Sequence, residues 1–481
     1  MRRILQALLP SIVIIAIVVF LSVEYRQSRQ NDLNIVLISV DTVRPDHLST
    51  YGYERETDPN LKKLAQNATV FQNVFTLIPQ TYPSFAMLFT GKSPAQTGIF
   101  SNASPQNADE GALFQNTKPL TEETETLASI LKKNGYQTVS FITSGILHDD
   151  FTGLSPGFDT FNLFEQYDIN AWKQNREGYD AFVDKGVQWF SDNKQGKFFY
   201  WIHLMDPHSP YYPSEPERCL FQSDADCRIL QSQPFSSINS FKSPYYACSD
   251  EQAPEGIVNR YKALYDAEIT SADRQVGKIL DALEKSDLMK DTLIIYYGDH
   301  GESFDHQYYF AHGESLYEST IRIPFILYHP LQKGTQYIST RITNVDILPT
   351  ILDLVHIPYT KEQFSGKSFV SEMNSQKTSS QSDDYIYFSN YNLTKFAVMK
   401  GAYKYIISFP GACLYREQQE ELYNVVSDPE EKHNLATMEK EIAFELKSAL
   451  QIYISELSID QSEQGIDSEN TILDELKSLG Y

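Results

Sequence analysis

Short apolar runs alternate with amphipathic segments along most of the chain. The runs over residues 35–38, 198–204 and 292–297 are continuous and rich in β-branched and aromatic side chains, which is typical of strands buried on both faces of a sheet. Segments with helical periodicity lie between them, among them residues 124–134 and 261–284. This alternation predicts an α/β fold. Further helices are predicted at residues 60–65, 179–191 and 346–355, and further strands at 137–142 and 324–328.

The composition changes near residue 371. Residues 371–384 are rich in Ser, Gln and Lys, which predicts a linker. Three short strands are predicted beyond it, at residues 385–389, 396–399 and 403–408. A polar helix from Met438 completes a small α+β subdomain. The expected parts are an anchor and linker over residues 1–33, a catalytic domain over 34–370, and the linker, small subdomain and acidic tail over 371–481.

The amino terminus carries an apolar run from Ile4 to Val23 behind two arginines. At a rise of about 1.5 Å per residue, a helix of this length crosses a hydrocarbon core of roughly 30 Å. A cleaved signal peptide is the alternative, but no small-residue cleavage site precedes Glu24. We therefore expect an uncleaved, single-pass transmembrane helix, with the catalytic domain outside the cytoplasm on the periplasmic or extracellular side.

The composition limits the partners of the chain. Its 481 residues carry a formal net charge of −23, and 41% of them are hydrophobic. Such a chain is long enough for one large domain with a smaller appendage. Nucleic acids and anionic membrane surfaces both favour basic patches, so the charge argues against either as the partner. A small anionic substrate is still compatible, because a metal ion or a helix dipole dominates the field inside a site.

Four cysteines fit an exported protein: Cys219, Cys227, Cys248 and Cys413. Their spacing matches no zinc ribbon and no histidine-rich segment lies beside them. Disulfides are therefore the expected use, with free buried thiols as the alternative. Three of the four lie in residues 214–255, a polar stretch with little periodicity. We interpret this stretch as an inserted loop over the mouth of the site, held by disulfides.

Acidic and imidazole groups follow two of the predicted strands. Asp41 lies after the run at 35–38, and the pair Asp299-His300 lies after the run at 292–297. In open α/β sheets the ligand crevice lies at the carboxyl ends of strands, so we expect these groups to converge. Thr81 stands where a helix begins, and a metal would activate its hydroxyl beside the free N–H groups of that helix. For each residue alone, the alternative is a helix cap or a turn.

Histidines are concentrated beside the same segments. Six of the ten lie in or next to two of them: His203, His208, His300, His306, His312 and His329. A neutral imidazole binds metals, and a protonated one donates to a leaving alkoxide or to ester oxygens. A single histidine at a strand end is usually structural, but two clusters favour a functional site.

The chain resembles the sulfatase family of the alkaline-phosphatase superfamily from about residue 34 to about residue 435. The motifs that carry the resemblance occur in the family's order, at residues 40–48, 81–84, 89–92, 157–159, 206–210, 265–268, 298–302, 312–313, 345–350, 421–424, 428–429 and 434–435. Each motif alone is weak, but so many in order are specific. The resemblance implies a large mixed sheet with helices on both faces and a small C-terminal sheet.

The resemblance also implies roles for individual residues. The implied metal ligands are Asp41, Thr81, Asp299 and His300, and the implied catalytic residues are Thr81, His208 and His312. The metal is expected to be a divalent cation, Ca²⁺, Zn²⁺ or Mn²⁺. His208 and His312 would contact the ester oxygens or protonate the leaving group. His203 would support the ligands from behind, with a buried, hydrogen-bonded histidine as the alternative.

Three positions depart from the family pattern. Sulfatases carry Cys or Ser, oxidised to formylglycine, in Cys/Ser-x-Pro-x-Arg, whereas this chain has Thr81 there and Phe85 in place of the arginine. Thr42 stands where a second acid is usual. Threonine is not a substrate of that oxidation, so Thr81 resembles the metal-bound threonine of nucleotide pyrophosphatase/phosphodiesterases, which attacks phosphorus. The set that would hold a second metal or the substrate, as in those enzymes, is Asp206, His208 and His312.

These expectations combine into one function and two alternatives. The main one is a membrane-anchored, metal-dependent hydrolase of sulfate or phosphate esters with Thr81 as nucleophile. Because threonine lacks the second geminal hydroxyl that expels sulfate by elimination, phosphate ester turnover is expected to exceed sulfate ester turnover. The first alternative is a phosphodiesterase or phosphotransferase that acts on cell-envelope glycans or lipid headgroups. The second is a degenerate member that binds a small anionic ester without turnover, favoured by Phe85 and Thr42.

Overall fold

The computed structural model describes residues 33–102, 117–164, 173–193, 196–232, 237, 239–375, 384–413 and 415–463. In these ranges no helix is both long and apolar enough to span a bilayer. The transmembrane helix predicted from Ile4 to Val23 lies outside the described residues.

The strands of the described chain form three sheets. In chain order they are β1 (Asn34–Val40), β2 (Ala68–Phe75), β3 (Gln137–Ile142), β4 (Thr160–Leu163), β5 (Phe198–Leu204), β6 (Ala247–Cys248), β7 (Thr292–Gly298), β8 (Ser303–Asp305), β9 (Tyr308–Ala311), β10 (Arg322–Tyr328), β11 (Gln336–Ile338), β12 (Ile342–Thr343), β13 (Ile386–Ser389), β14 (Lys395–Lys400), β15 (Tyr403–Ser408) and β16 (Gln419–Asn424).

A nine-stranded sheet forms the centre of the molecule, in the order β11-β2-β10-β7-β1-β5-β3-β4 with β12 beside β2. The strands from β7 to β4 run parallel, whereas β10 is antiparallel to both of its neighbours. The sheet is therefore mixed, as the family resemblance implies. All seven residues of the central strand β1 are buried, which explains why its sequence is continuously apolar rather than alternating.

Helices cover both faces of this sheet. The α-helices are α1 (Pro59–Ala65), α2 (Thr81–Thr90), α3 (Pro94–Thr97), α4 (Leu127–Lys133), α5 (Asp149–Thr152), α6 (Arg176–Asp192), α7 (Asp224–Ser232), α8 (Glu255–Lys285), α9 (Glu318–Ile321), α10 (Ile347–Leu354), α11 (Val370–Ser375) and α12 (Lys440–Glu463). On one face, Phe85 of α2 packs in the same apolar cluster as Trp201 of β5. On the other, Val183 of α6 and Leu264 of α8 pack in a cluster with Ile38.

The C-terminal part contains a four-stranded antiparallel sheet, β13 to β16, with α12 packed against it. The sequence predicts three of its strands but not β16. That strand reads Gln-Glu-Glu-Leu-Tyr-Asn, and only Leu422 and Tyr423 of it join apolar clusters. The sheet packs on the main body, because Met87 of α2 lies in one cluster with Val398 and Leu422.

The stretch over residues 214–255 is more ordered than a simple inserted loop. It contains α7 and the short strand β6, which pairs with β9. All four cysteines are bonded, Cys219 to Cys227 and Cys248 to Cys413, which confirms the predicted disulfides. The second bond joins β6 to the segment between β15 and β16. It therefore links the β8–β9 hairpin, through β6, to the C-terminal sheet.

Removing the Cys248–Cys413 bond is expected to destabilise the protein more than removing the Cys219–Cys227 bond. The sequence separations are 165 and 8. In the chain-entropy model the longer cross-link contributes about 3 kcal/mol more to the free energy of unfolding, because its effect grows with the logarithm of loop length. Urea unfolding of the two Cys→Ser double variants measures the difference. Equal losses would contradict the idea that the longer bond restrains the unfolded chain.

Candidate active site

The carboxyl ends of β1, β5 and β7 define the candidate site. Val40 is level with Leu204 of β5 and with Gly298 of β7, so the residues that follow these strands leave the sheet side by side. Asp41 therefore lies beside Asp299, although the two are far apart in sequence. This edge of the sheet is where ligands bind in open α/β folds.

Asp41, Asp299 and His300 form a buried group of metal-ligand type. Ligand atoms from the three residues all lie within 4.8 Å of one another. His300 Nε2 is 3.7 Å from Asp41 Oδ1 and 3.6 Å from Asp299 Oδ2. No second group of this kind, with three or more acidic, histidine or cysteine ligands, occurs among the described residues. The structure thus brings together three of the four metal ligands that the family resemblance implies.

The hydrogen bonds within this group do not compensate the negative charge of its two carboxylates. Asp299 Oδ1 accepts from the backbone N–H groups of Thr42 at 3.1 Å and His300 at 2.8 Å. Asp299 Oδ2 and both carboxylate oxygens of Asp41 are buried without a hydrogen-bond partner. Burial raises the pKa of Asp41 to about 8 and that of Asp299 well above its usual range. An unpaired buried carboxylate is costly, so these oxygens and His300 Nε2 fit a divalent cation.

Thr81 begins α2, whose ten residues are all buried. Its Oγ1 lies 3.3 Å from His300 Nε2, so the hydroxyl adjoins the metal-ligand group. The expectation that the start of this helix offers free N–H groups is wrong at two positions. The N–H of Tyr82 donates to Asn102 Oδ1 at 2.8 Å, and Pro83 has no N–H.

Ser84 ties α2 to the strand end that carries Asp299. Its hydroxyl donates to the carbonyl oxygen of Asp299 at 2.8 Å and lies 2.5 Å from Tyr297 OH. The side-chain amide of Asn344 donates to the carbonyl oxygen of Ser84 at 3.4 Å. Because Ser84 is one helical turn from Thr81, these bonds set the position of the Thr81 hydroxyl relative to Asp299.

Phe85 forms an apolar wall behind the metal-ligand group. Its ring meets His203 edge-on and also packs on Trp201, with ring centroids 5.0 Å apart in both cases. His203 Nε2 lies 3.4 Å from Asp41 Oδ2, and its Nδ1 lies 3.0 Å from Ser39 Oγ. Burial lowers the pKa of His203 to about 4. His203 is therefore a neutral ring that contacts a metal-ligand carboxylate from behind.

Backbone carbonyl groups fix the tautomers of three histidines. Nδ1 of His300, His208 and His312 lies 3.0, 2.5 and 3.3 Å, respectively, from a backbone carbonyl oxygen. A carbonyl oxygen only accepts hydrogen bonds, so each Nδ1 carries the proton and each neutral ring has a lone pair on Nε2. Burial lowers the pKa of His300 to about 3, and it lowers those of His208 and His312 well below the usual value. All three rings are therefore neutral bases at neutral pH.

His208 and His312 face each other through these lone pairs. Their Nε2 atoms are 3.1 Å apart, and the His312 ring lies against His300 with centroids 4.1 Å apart. Two lone pairs at hydrogen-bonding distance repel unless a proton or another cation lies between them. The pair is therefore able to take up one proton and pass it to a nearby oxygen.

The C-terminal sheet helps to hold the segment that carries His312. Asn390 and Asn392, beyond the end of β13, donate from their side chains to the carboxylate of Glu314 at 2.9 and 2.8 Å. From the other side, Tyr308 OH donates to the carbonyl oxygen of His312 at 2.5 Å. His312 is thus held both by the β8–β9 hairpin and by the C-terminal sheet.

Asp206 does not join His208 and His312, contrary to the set that the resemblance implies. Its buried carboxylate accepts a hydrogen bond from Arg176 Nη1 at 2.5 Å and another from Tyr179 OH. Both partners lie on α6. The direction of the loop backbone turns Asp206 towards that helix, so these three residues do not form a second metal site in this arrangement.

Two features of the site escape sequence analysis. Lys173 Nζ donates to the carbonyl oxygen of Asp206 and to Glu268 Oε1, both at 2.6 Å. No motif surrounds Lys173, although Glu268 closes the motif at 265–268. Thr42 has a left-handed backbone with φ of 52°, which is rare for a β-branched residue. That conformation accompanies the donation of its N–H to Asp299 and has no signal in the sequence.

Comparison with known families agrees with this geometry. The profile described as Sulfatase matches residues 33–357, and the profile described as N-sulphoglucosamine sulphohydrolase, C-terminal, matches residues 304–458. The chain belongs to the sulfatase family. The resemblance inferred from the motifs is thereby confirmed, and this sulfatase is an ester hydrolase of the family's type.

Individual relatives cover nearly the whole chain. The sulfatase is 26% identical to Arylsulfatase K of the dog, Canis lupus familiaris, over 91% of this chain and 85% of that protein. A structure solved with its substrate D-glucosamine-2-N,6-O-disulfate has a TM-score of 0.68 and 18% identity, and the match covers 91% of this chain and 100% of the other. The structure of the phosphonate monoester hydrolase of Agrobacterium radiobacter has a TM-score of 0.67 and 18% identity, and the match covers 89% of this chain and 96% of the other. At such identities the two structures show a shared fold.

Metal binding is expected to depend on Asp41 and Asp299. Asparagine at either position removes a charged ligand, so affinity for a divalent cation should fall by more than the roughly 10–100-fold that outer-shell changes cost. Elemental analysis after dialysis against Ca²⁺, Mn²⁺ or Zn²⁺ measures the loss, and the rise in Tm with metal gives a second readout.

The matched control for this test is Asp273→Asn. Asp273 is also a buried carboxylate, but it accepts hydrogen bonds from the backbone N–H groups of Asn60 and Leu61 at 2.8 and 2.9 Å. This variant should keep the metal and the metal-dependent rise in Tm. Full metal occupancy in both Asp41→Asn and Asp299→Asn would rule out the assignment.

Proposed function

We propose that this sulfatase attacks sulfate or phosphate esters with the unmodified hydroxyl of Thr81, activated at a divalent metal site. The observation that carries the proposal is the position of Thr81 Oγ1. It lies 3.3 Å from His300 Nε2, and that nitrogen lies 3.7 Å from Asp41 Oδ1 and 3.6 Å from Asp299 Oδ2. A hydroxyl is a poor nucleophile at neutral pH unless a base or a metal stabilises its alkoxide.

The residues of the chain divide the reaction between them. Asp41, Asp299 and His300 would hold the cation, which supplies Lewis acidity for the alkoxide and for the charge that develops on the ester oxygens. Thr81 Oγ1 attacks the sulfur or phosphorus atom. The proton that Thr81 gives up passes to the neutral Nε2 atoms of His208 and His312, and from that pair to the oxygen of the leaving group. Water then attacks the same sulfur or phosphorus atom and releases Thr81, and the histidine pair passes a proton of this water back to Thr81 Oγ1.

Family membership supports sulfate esters, whereas the chemistry of threonine favours phosphate esters. A formylglycine hydrate expels sulfate through its second hydroxyl. Thr81 has one hydroxyl, so its ester must be released by direct attack of water on sulfur or phosphorus. Hydrolysis of a phosphate or phosphonate ester, or transfer of the phosphoryl group to a glycan or lipid hydroxyl, is therefore the second candidate.

We infer that the alcohol released is a sugar. One protein of the same fold was solved with a disulfated glucosamine as its substrate. A sugar alkoxide is a poor leaving group and must be protonated as the bond breaks. The facing Nε2 atoms of His208 and His312, 3.1 Å apart, provide a place for that proton.

Two replacements of Thr81 test whether its hydroxyl is the nucleophile, because alanine removes the hydroxyl whereas serine removes only the methyl group. Thr81→Ala should lower kcat by about 10⁴-fold or more, since no covalent step is possible, while Thr81→Ser should keep a measurable part. Thr90→Ala at the far end of α2, where the hydroxyl donates to the carbonyl oxygen of Ala86, is the matched control and should keep kcat. Turnover is measured with an aryl sulfate, an aryl phosphate and a bis-aryl phosphodiester, each with Ca²⁺, Mn²⁺ or Zn²⁺.

Mass spectrometry of acid-quenched enzyme tests the covalent step directly. The peptide with Thr81 should carry a sulfuryl or phosphoryl group, and the group found identifies the preferred ester. An aldehyde at residue 81, or undiminished turnover by Thr81→Ala, would falsify the proposal. Binding of every ester without release, with every metal, would identify a degenerate member, for which Phe85 and Thr42 would be the cause.

We further propose that residues 4–23 hold the protein in a membrane, with the body on the extracytoplasmic side. The apolar run supports the anchor, and the two disulfides support an oxidising compartment. Deletion of residues 2–30 is expected to move the enzyme from the carbonate-washed membrane fraction to the soluble fraction. Continued membrane association of the deleted form would contradict the anchor.

A further inference from the structure

His208 lies in a loop of residues 205–212, here named the His208 loop, whose first part is held from outside. The N–H of Met205 donates to Tyr179 OH at 3.2 Å, and the same hydroxyl donates to the carboxylate of Asp206. The carbonyl oxygen of Asp206 accepts from Lys173 Nζ at 2.6 Å. The backbone just before His208 is therefore fixed by side chains at and before α6.

Tyr212, the last residue of the His208 loop, is held by the ion pair that Lys173 forms with Glu268. The N–H of Tyr212 donates to Glu268 Oε1 at 2.7 Å, and Lys173 Nζ donates to that oxygen at 2.6 Å. The side chains of Lys173 and Glu268 are 1% and 0% exposed. One buried pair thus holds both ends of the loop that places His208 opposite His312.

Stability alone does not account for this pair. A buried ion pair seldom stabilises a fold more than apolar side chains of similar volume. The hydrogen bonds of this pair to the carbonyl oxygen of Asp206 and from the N–H of Tyr212 direct it towards the segment that carries His208.

We propose that Lys173 and Glu268 are positioning residues that fix the imidazole of His208 opposite His312. The inference rests on the proposed function, in which this pair of histidines protonates the leaving group. Without the ion pair, the two ends of the His208 loop lose their anchors. The 3.1 Å contact between the two Nε2 atoms then loosens, and proton transfer slows.

The test compares a buried pair with an exposed one. The variant Lys173→Met/Glu268→Gln leaves no unpaired charge and keeps an oxygen acceptor for Tyr212. The matched control is Lys278→Met/Asp184→Asn, because that pair joins α8 to α6 at the same 2.6 Å but is largely exposed. Hydrogen exchange of the peptide over residues 205–212 should be about 10-fold faster in the first variant and unchanged in the control. Unchanged exchange in the first variant overturns the proposal, whether or not a substrate is known.

Kinetics in two backgrounds test whether the pair acts through His208. With His208 present, the buried-pair variant should lower kcat by about 100-fold, the usual contribution of a general acid. In a His208→Ala background the same variant should lower kcat by less than a further factor of about 2, because the effects of groups that act as a unit are not additive. Equal losses in both backgrounds would mean that the pair acts elsewhere and would overturn the inference.

A milder variant keeps the test decisive if Lys173→Met/Glu268→Gln does not fold. Lys173→Gln/Glu268→Gln keeps a donor for the carbonyl oxygen of Asp206 and an oxygen for the N–H of Tyr212, and it removes both charges together. It should lower kcat by about 10-fold, with the same dependence on His208. If Thr81→Ala retains full activity, the proposed function fails, and the exchange measurement still decides whether the pair positions the loop.

Discussion

Two carboxylates buried side by side constrain the rest of this site. The parallel register of β1 and β7 brings Asp41 and Asp299 together, and three of their four oxygens lack a hydrogen-bond partner. A folded protein tolerates this arrangement when a cation balances it. Other groups of the site adjoin these carboxylates. His300 follows Asp299 directly, and Ser84 ties the helix that carries Thr81 to the same strand end.

The surroundings of the site keep its bases neutral. Backbone carbonyl groups, rather than carboxylates, accept hydrogen bonds from the Nδ1 atoms of His300, His208 and His312. The ring of Phe85 packs against the fourth histidine, His203. A carboxylate partner would favour the charged imidazolium, whereas burial next to carbonyl groups favours the neutral ring. The site thus combines two buried carboxylates with neutral imidazole rings, which suits the anionic ester of the proposed reaction.

The sequence predicts the features that follow from periodicity and from strand ends. Continuous apolar runs reveal β1, β5 and β7, and the strand-end rule then identifies Asp41, Asp299 and His300. Features that depend on the path of a loop cannot be predicted from periodicity or from strand ends. Asp206 lies two residues from His208, yet its side chain points to α6, because the backbone between them turns.

Three other features are not predicted from the sequence, each for a different physical reason. Strand β16 is too polar to be recognised by periodicity. The left-handed backbone of Thr42 arises from its tertiary surroundings, since a β-branched residue does not favour it. Lys173 lies outside every motif and is recognisable only when Glu268 and the His208 loop are seen around it. Each of these requires knowledge of distant contacts, which local propensity does not contain.

The segment that carries His312 is held by side chains that are synthesised much later than the rest of the candidate site. A chain is synthesised from its amino terminus and folds domain by domain. Asp41, Thr81 and Asp299 therefore emerge before Asn390 and Asn392, whose side chains hold Glu314 beside His312. Under the proposed function, the residues that would bind the cation and attack the ester thus precede, along the direction of translation, the side chains that fix the segment of His312.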